Sequence, residues 1–368
     1  MTNHDAVIST PPPKAKSREN VAVRYHHSTN LPELLINLDV SVLITTYQAG
    51  KVVSLGVHKG KIQGGFTHFD RAMGLTRTPR GLTLGTQKAI WYLPADRQIA
   101  AHIQPEQEYD IAFLARSCHL TGPLMSHDLA FDGEKLWIVN TLFNCLATLE
   151  EDWNFVPQWK PPFIAEYLPG DRCHLNGLAM SEDGRTPAYV TTLGDTDQEN
   201  GWRDQKATGG CLIDVNLNKI ILRGLSMPHS PRIYQGELYF LNSGHGSLNR
   251  YDPATKSHEI IANLPGFTRG LDIWAGHAFI GLSQIRETAI FSGLPIEENL
   301  EPLKCGLGVV NLMTGNLVGT FWFDNGVEEV FAVTVLPGYH NPVLIGPDTE
   351  LDGTQTIWRV PPVTALNS

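Results

Sequence analysis

Residues 227–246 read MPHSPRIYQGELYFLNSGHG. Two runs of strand-forming residues flank a turn at Gln235-Gly236, a pattern that folds as a β-hairpin. A hairpin returns its two outer ends to one edge. His229, Ser230 and Arg232 before the first strand therefore meet Asn242, Ser243 and His245 after the second. The stretch reads as half of a polar site.

The same pattern recurs along the chain. Copies begin at Met125 (MSHDLAFDGEKLWIVNT), Cys173 (CHLNGLAMSEDGRTPAYVTTLGD) and Phe267 (FTRGLDIWAGHAFIGLSQIRE), with weaker ones at Phe69 and at Val327 (VEEVFAVTVLPGYHNPVLIGPD). Each has a polar lead, about five residues of strand, a turn that is Gly-containing in the clear copies, and a second β-rich strand. Six hairpins spaced by roughly 40 to 60 residues, with no convincing amphipathic helix between them, match the period of a four-stranded propeller blade. The expected architecture is all-β, a six-bladed β-propeller spanning residues 29–368. Its ring should close by pairing N-terminal with C-terminal strands, specifically the segment VSVLITTYQAGKVVSLGVHKGKIQGG with TIWRVPPV near the C-terminus. Residues 1–28 are polar, Pro-rich and aperiodic, and are expected to be a disordered tail.

Composition sets the limits of function. The chain is 42% hydrophobic and 18% charged, enough to bury a large core, and its net charge of -10 with no Lys/Arg cluster argues against a nucleic-acid partner. No run approaches the roughly 18 apolar residues of a membrane helix, and no signal-peptide segment is seen, so a cytoplasmic protein is the expectation. Five cysteines without CxxC spacing read as reduced thiols, with Cys173 a structural rather than a nucleophilic residue. No GxGxxG, P-loop or GxSxG is present, so a nucleotide cofactor and serine hydrolysis are not expected. The acidic loop GDTDQENGWRD lacks the carboxylate spacing of an EF-hand; its Trp202 and Arg203 suit a loop folding over a pocket instead.

In a propeller the innermost strand of each blade lines the channel, and its start shares a face with the loop leaving the second strand. Arg71, His127 with Asp128, His174 with Asn176, His229 with Arg232, Arg269, and Glu328 or Glu329 should then form a ring. Asn140, Thr141, Thr192, Asp195, Asp197, Trp202, Arg203, Asn242, Ser243, His245, Ser283, Arg286 and Glu287 should form its rim. Small residues beside the charges, as in NSGHG and TRGL, would let backbone amides approach a ligand.

Two chemistries fit such a ring. His127, His174, His229 and Glu329 could hold a divalent metal, since imidazole and carboxylate make an open site. Alternatively, Arg203, Arg232, Arg269 and Arg286 give a metal-free cationic lining for a small polar, anionic ligand, with Glu329 or Glu287 as base and a His as acid; His174, His229, Arg269 and Glu329 are the expected catalytic residues. Arg71, His127, Asn176, Trp202, Arg203, Ser230, Arg232, Asn242, His245, Arg286 and Glu287 are the expected ligand-binding residues. The competing function is a non-catalytic scaffold for a protein partner, with the aromatic loop around Trp153, Phe155 and Trp159 as its surface.

Seven stretches also carry a resemblance: TTYQAGK (45–51), CHLNGLAM (173–180), GWR (201–203), GLSMPHSPR (224–232), LNSGHG (241–246), LPGFTRGL (264–271) and GLSQIRE (281–287). On these the sequence resembles the bacterial family known as domain of unknown function 4915, from about residue 30 to about residue 350. The resemblance implies a bacterial origin and a single propeller-like domain, and it implies no particular reaction.

Overall fold

The computed structural model describes residues 6–9, 22–284, 293–298 and 301–360. Its strands form six antiparallel blades whose innermost strands stand side by side around one axis. Blade 1 orders Ala332–Pro337, Val40–Thr45, Lys51–His58 and Lys61–His68 from the centre outward. Blade 2 begins with Leu75–Thr78, Gly81–Gly85 and Ala89–Asp96. Blade 3 runs Ser126–Phe131, Leu136–Asn140, Cys145–Thr148, Val156–Trp159, and blade 4 runs Leu175–Met180, Pro187–Thr192, Gly210–Asp214, Lys219–Leu225. Blade 5 has Pro228–Tyr234, Glu237–Asn242, Ser247–Asp252 and Ser257–Asn263; blade 6 has Phe267–Trp274, His277–Ser283, Gly306–Asn311 and Leu317–Phe323. The protein is a six-bladed propeller.

Strands alternate their side chains between two faces, and in the inner and middle strands both faces are covered by neighbouring blades. That is why VSVLIT at Val40–Thr45 is buried at every position. Between blades 6 and 1, Phe279, Leu307 and Phe321 interlock with Val42, Ile44 and Leu55, all at 0% exposure. Burying each such side chain contributes about 1.5–3 kcal/mol. A short helix, Leu31–Asn37, seals this seam by setting Leu31 and Leu35 into the same cluster.

Closure joins the two ends of the chain as expected, but through a different segment. Val40–Thr45 pairs with Ala332–Pro337, while Ile357–Val360 pairs with Ala6–Ser9. Burial explains the choice: Ala332–Pro337 has four consecutive buried residues and suits an inner position, whereas three of the four residues in Ile357–Val360 are exposed. The expected sixth hairpin is therefore opened. Its second strand, Pro342–Ile345, leaves blade 1 and runs parallel to Ile111–Leu114 at the outside of blade 2. The expected tail is also partly ordered, because Tyr25–His27 adds a fifth strand to blade 6 with the Tyr25 ring 4.8 Å from Phe321. Residues 1–5 and 10–21 of that tail lie outside the described residues.

At the seam Thr45 Oγ1 donates to the Met73 carbonyl (2.7 Å) of blade 2 and accepts from the Ala332 N–H (2.9 Å) of its own inner strand. Thr45→Val keeps the shape and strands both backbone groups. It is expected to lower unfolding stability by about 1–3 kcal/mol in urea titrations, with an unchanged m-value. Unaltered stability would show that closure does not rest on this hydroxyl.

Candidate functional site

The inner strands of blades 3 and 5 begin alike. A Met two residues before each His adopts a left-handed backbone (Met125 φ 57°, Met227 φ 47°), which brings its carbonyl back to the imidazole. His127 Nδ1 donates to the Met125 carbonyl at 3.0 Å, and His229 Nδ1 to the Met227 carbonyl at 2.8 Å. A hydroxyl from the end of the second strand stands at the same nitrogen, Thr141 Oγ1 at 2.8 Å and Ser243 Oγ at 3.0 Å. A carbonyl can only accept, so Nδ1 carries the hydrogen and a neutral ring presents a lone pair at Nε2. No described residue bonds either Nε2.

Burial holds both rings neutral. The pKa of His127 is pushed well below the ordinary 6.5 first by burial, then by His174, Arg269 and His229 nearby; that of His229 falls for the same first reason, with Arg269 and His174 adding to it. Both are acceptors at neutral pH.

His174 is held differently. It has a left-handed backbone (φ 49°), and its Nδ1 faces both carboxylate oxygens of Asp171 at 2.9 and 3.0 Å. Asp171 also accepts the Trp202 indole N–H at 3.2 Å, and Trp202 packs its ring 4.5 Å from His174. Opposite this, Arg269 lies 3.6 Å over the Phe331 ring and donates from Nη1 to Glu329 Oε1 at 2.9 Å. Burial lowers the Arg269 pKa and the Glu329 charge offsets part of that effect, so the guanidinium stays charged. His127 bridges the two halves, its ring 4.7 Å from His174 and 5.0 Å from Phe331.

These groups enclose a cavity of about 280 Å³ at one mouth of the channel. All four expected catalytic residues line it, namely His174, His229, Arg269 and Glu329, together with His127, Trp202 and Arg203. Several other expected ligand residues are spent on structure. Asn176 donates to the Pro228 carbonyl and accepts from Thr191; Ser230 Oγ accepts the Gly270 N–H; Asn242 Oδ1 accepts the Ser226 N–H. Arg232 forms a two-pronged pair with Asp128 (2.9 and 3.3 Å) and also donates to the Leu178 carbonyl, tying blades 3, 4 and 5 together. It faces a second cavity of about 450 Å³, also lined by Arg77 and Asp272. His245 is exposed, and Arg71 is exposed with its guanidinium on the Tyr47 hydroxyl at the cavity margin. Arg286 and Glu287 lie outside the described residues.

All four members of the expected metal set line this cavity. Among the described residues no group of three or more His, Cys, Asp or Glu is placed to hold a metal ion. Glu329, the carboxylate of that set, is engaged by Arg269. The small residues serve packing rather than ligand approach: a Cβ on Gly270 (φ +81°) would sit 2.8 Å from the Val333 nitrogen, and one on Gly244 1.9 Å from Ser226 Oγ. Cys173 is buried and its thiol is pushed well above its ordinary pKa by that burial.

Sequence reasoning missed Asp171 and the apolar wall of Met73, Met125, Met227, Tyr47 and Phe331. Asp171 stands three residues before His174, and Met two residues before His in both MSHD and MPHS; that spacing was the available signal.

Fold and site define a six-bladed propeller with a histidine-lined pocket on one face. The chain belongs to the DUF4915 family (domain of unknown function), which matches residues 29–345. No curated protein matches it. Among solved structures, a chain of the nidogen/laminin complex is 10% identical with a TM-score of 0.48, covering 81% of this chain and 99% of its own. Virginiamycin B lyase from Staphylococcus aureus is 12% identical with a TM-score of 0.38, over 65% of this chain and 76% of its own. The computationally designed Ika8 protein is 12% identical with a TM-score of 0.35, over 84% and 81%. No helix among the described residues is long and apolar enough to cross a membrane.

Because His127 and His229 have lowered pKa values when folded, the unfolded chain takes up protons first on acidification. Their effect on stability is absent above about pH 7 and becomes a loss as pH falls below the ordinary 6.5. Wild type is expected to lose melting temperature from pH 7 to pH 5 more steeply than a His127→Gln/His229→Gln variant. Parallel curves for the two proteins would contradict neutral, buried imidazoles.

Proposed function

We propose that the protein binds a small, partly apolar molecule that carries hydroxyl or amine donors and one acidic group. The observation that carries this reading is the pair His127 and His229, each with Nδ1 fixed by a carbonyl and a hydroxyl and with Nε2 left as an acceptor in the cavity wall. Buried polar atoms are usually paired, so acceptors kept ready at a cavity suit donors brought by a ligand. Arg269 supports the acidic group: one Nη is spent on Glu329, and no described residue bonds its other N–H groups. Arg203, stacked 4.7 Å over Trp202 at the cavity wall, is a second cation. The expected four-arginine lining shrinks to these two, and Asp171 and Glu329 balance them, so the acidic group is read locally by Arg269 rather than drawn by a cationic bowl. At about 280 Å³ the cavity suits a metabolite smaller than a drug-sized ligand.

A scaffold reading has one supporting observation. Trp153 (64% exposed) and Leu120 (71%) lie together, with Asn154 Nδ2 reaching the Leu120 carbonyl. Phe155 packs instead on Phe143 and Trp159 is half-buried, so the expected aromatic surface is reduced to this pair.

The test is a thermal-shift screen of hydroxy, keto and amino acids, followed by calorimetry. A stabilising acid is expected to bind about tenfold more weakly to His229→Phe and to Arg269→Met, the loss of one good hydrogen bond each. Equal affinity in wild type and both variants would refute the pocket as its site.

A further inference from the structure

The three histidines of the pocket are not equivalent, and the difference lies in what holds each Nδ1. His127 and His229 are backed by neutral acceptors, a carbonyl and a hydroxyl. His174 alone is backed by a carboxylate, that of Asp171, itself fixed by the Trp202 indole N–H. When Nε2 of an imidazole takes a proton, a carboxylate at Nδ1 stabilises the cation that forms, whereas a carbonyl or hydroxyl dipole does so far less. His174 is thus built to accept a proton and its two neighbours to accept hydrogen bonds.

Arg269 stands at the other end of the same wall, separated from His174 by the rings of Phe331 and His127. Nucleophilic catalysis has little to work with here. Cys173 is buried behind Asn144 and Ser230 is committed to the Gly270 N–H. We propose that the pocket is an active site in which His174, aimed by Asp171, removes a proton from the carbon next to a substrate acid or carbonyl group held at Arg269. The C–H bond breaks, an N–H bond forms at His174 Nε2, and the electron pair moves onto the carbonyl or carboxylate oxygen facing Arg269. Return of that proton to the same or a neighbouring carbon completes an isomerisation and needs no co-reactant. Asp171 is a positioning residue for this step. The inference rests on the acid-binding reading above.

Bromoacetate probes both parts without knowledge of the substrate. Its carboxylate mimics the acid, and its CH2 group is attacked by an imidazole lone pair as bromide leaves. Peptide mass spectrometry is expected to find the carboxymethyl group on His174 and not on His127 or His229. The rate should saturate with bromoacetate, lose saturation in Arg269→Met, and fall roughly tenfold or more in Asp171→Asn, with partial rescue in Asp171→Glu. Circular dichroism checks that each variant folds, and the selectivity in wild type decides the matter if Asp171→Asn does not. Label spread equally over the three histidines, label absent from His174, or an unchanged rate in folded Asp171→Asn overturns the proposal. Selective, Asp171-dependent labelling whose rate stays linear in bromoacetate supports the base while refuting acid binding at Arg269. Saturating label on His127 or His229 supports acid binding and overturns the base.

Discussion

A buried hydroxyl at the end of a blade's second strand, bonded to the backbone that leads into the next blade, is the contact on which the ring depends. Thr45 reaches the Met73 carbonyl, Thr141 the Leu175 carbonyl, and Ser283 exchanges bonds with Val330 on both its carbonyl and its N–H. Propeller blades share no backbone ladder with their neighbours, so between them a lost polar contact cannot be replaced by a shifted register. The buried hydroxyl satisfies backbone groups that water cannot reach, and leaving one unpaired costs about 1–3 kcal/mol. The same atoms shape the site. Thr141, which packs blade 3 against blade 4, also meets His127 Nδ1, and Ser243 at the matching place in blade 5 meets His229 Nδ1.

The pocket inherits its chemistry from that arrangement. Histidines set at the starts of neighbouring inner strands cannot avoid one another in a closed ring, and burial together with Arg269 keeps His127 and His229 uncharged. A single buried guanidinium with a carboxylate partner and an aromatic face beneath it is far less costly than several unpaired cations. Another arginine of the expected ring, Arg232, is paired with Asp128 and lines the second cavity instead of this pocket.

Much of this was legible in the sequence, for reasons that can be stated. The repeated hairpin revealed six blades because its period is imposed locally by turns such as Gln235-Gly236 and Asp132-Gly133. The residues at the starts of inner strands were placed at one mouth by topology alone, and His127, His174, His229, Arg269 and Glu329 do meet there. Closure by Ala332–Pro337 was not legible, because choosing between two apolar C-terminal strands depends on which is buried on both faces in the finished ring. Asn176, Ser230 and Asn242 could not be separated from ligand residues by type, since a short polar side chain serves a backbone amide or a ligand equally well. Asp171 escaped notice because it meets His174 from outside the strand that defines the repeat.

His127 and His229 are neutral, with hydrogen on Nδ1 and a lone pair on Nε2 in the pocket wall. Long-range ¹H–¹⁵N correlation spectra of histidine-labelled protein at neutral pH report this directly, because protonated and lone-pair nitrogens differ widely in shift. Two rings with a pyrrole-type Nδ1 and a pyridine-type Nε2 are expected, assigned by their loss in His127→Gln and His229→Gln. Imidazolium spectra at either position, or hydrogen on Nε2, would contradict it.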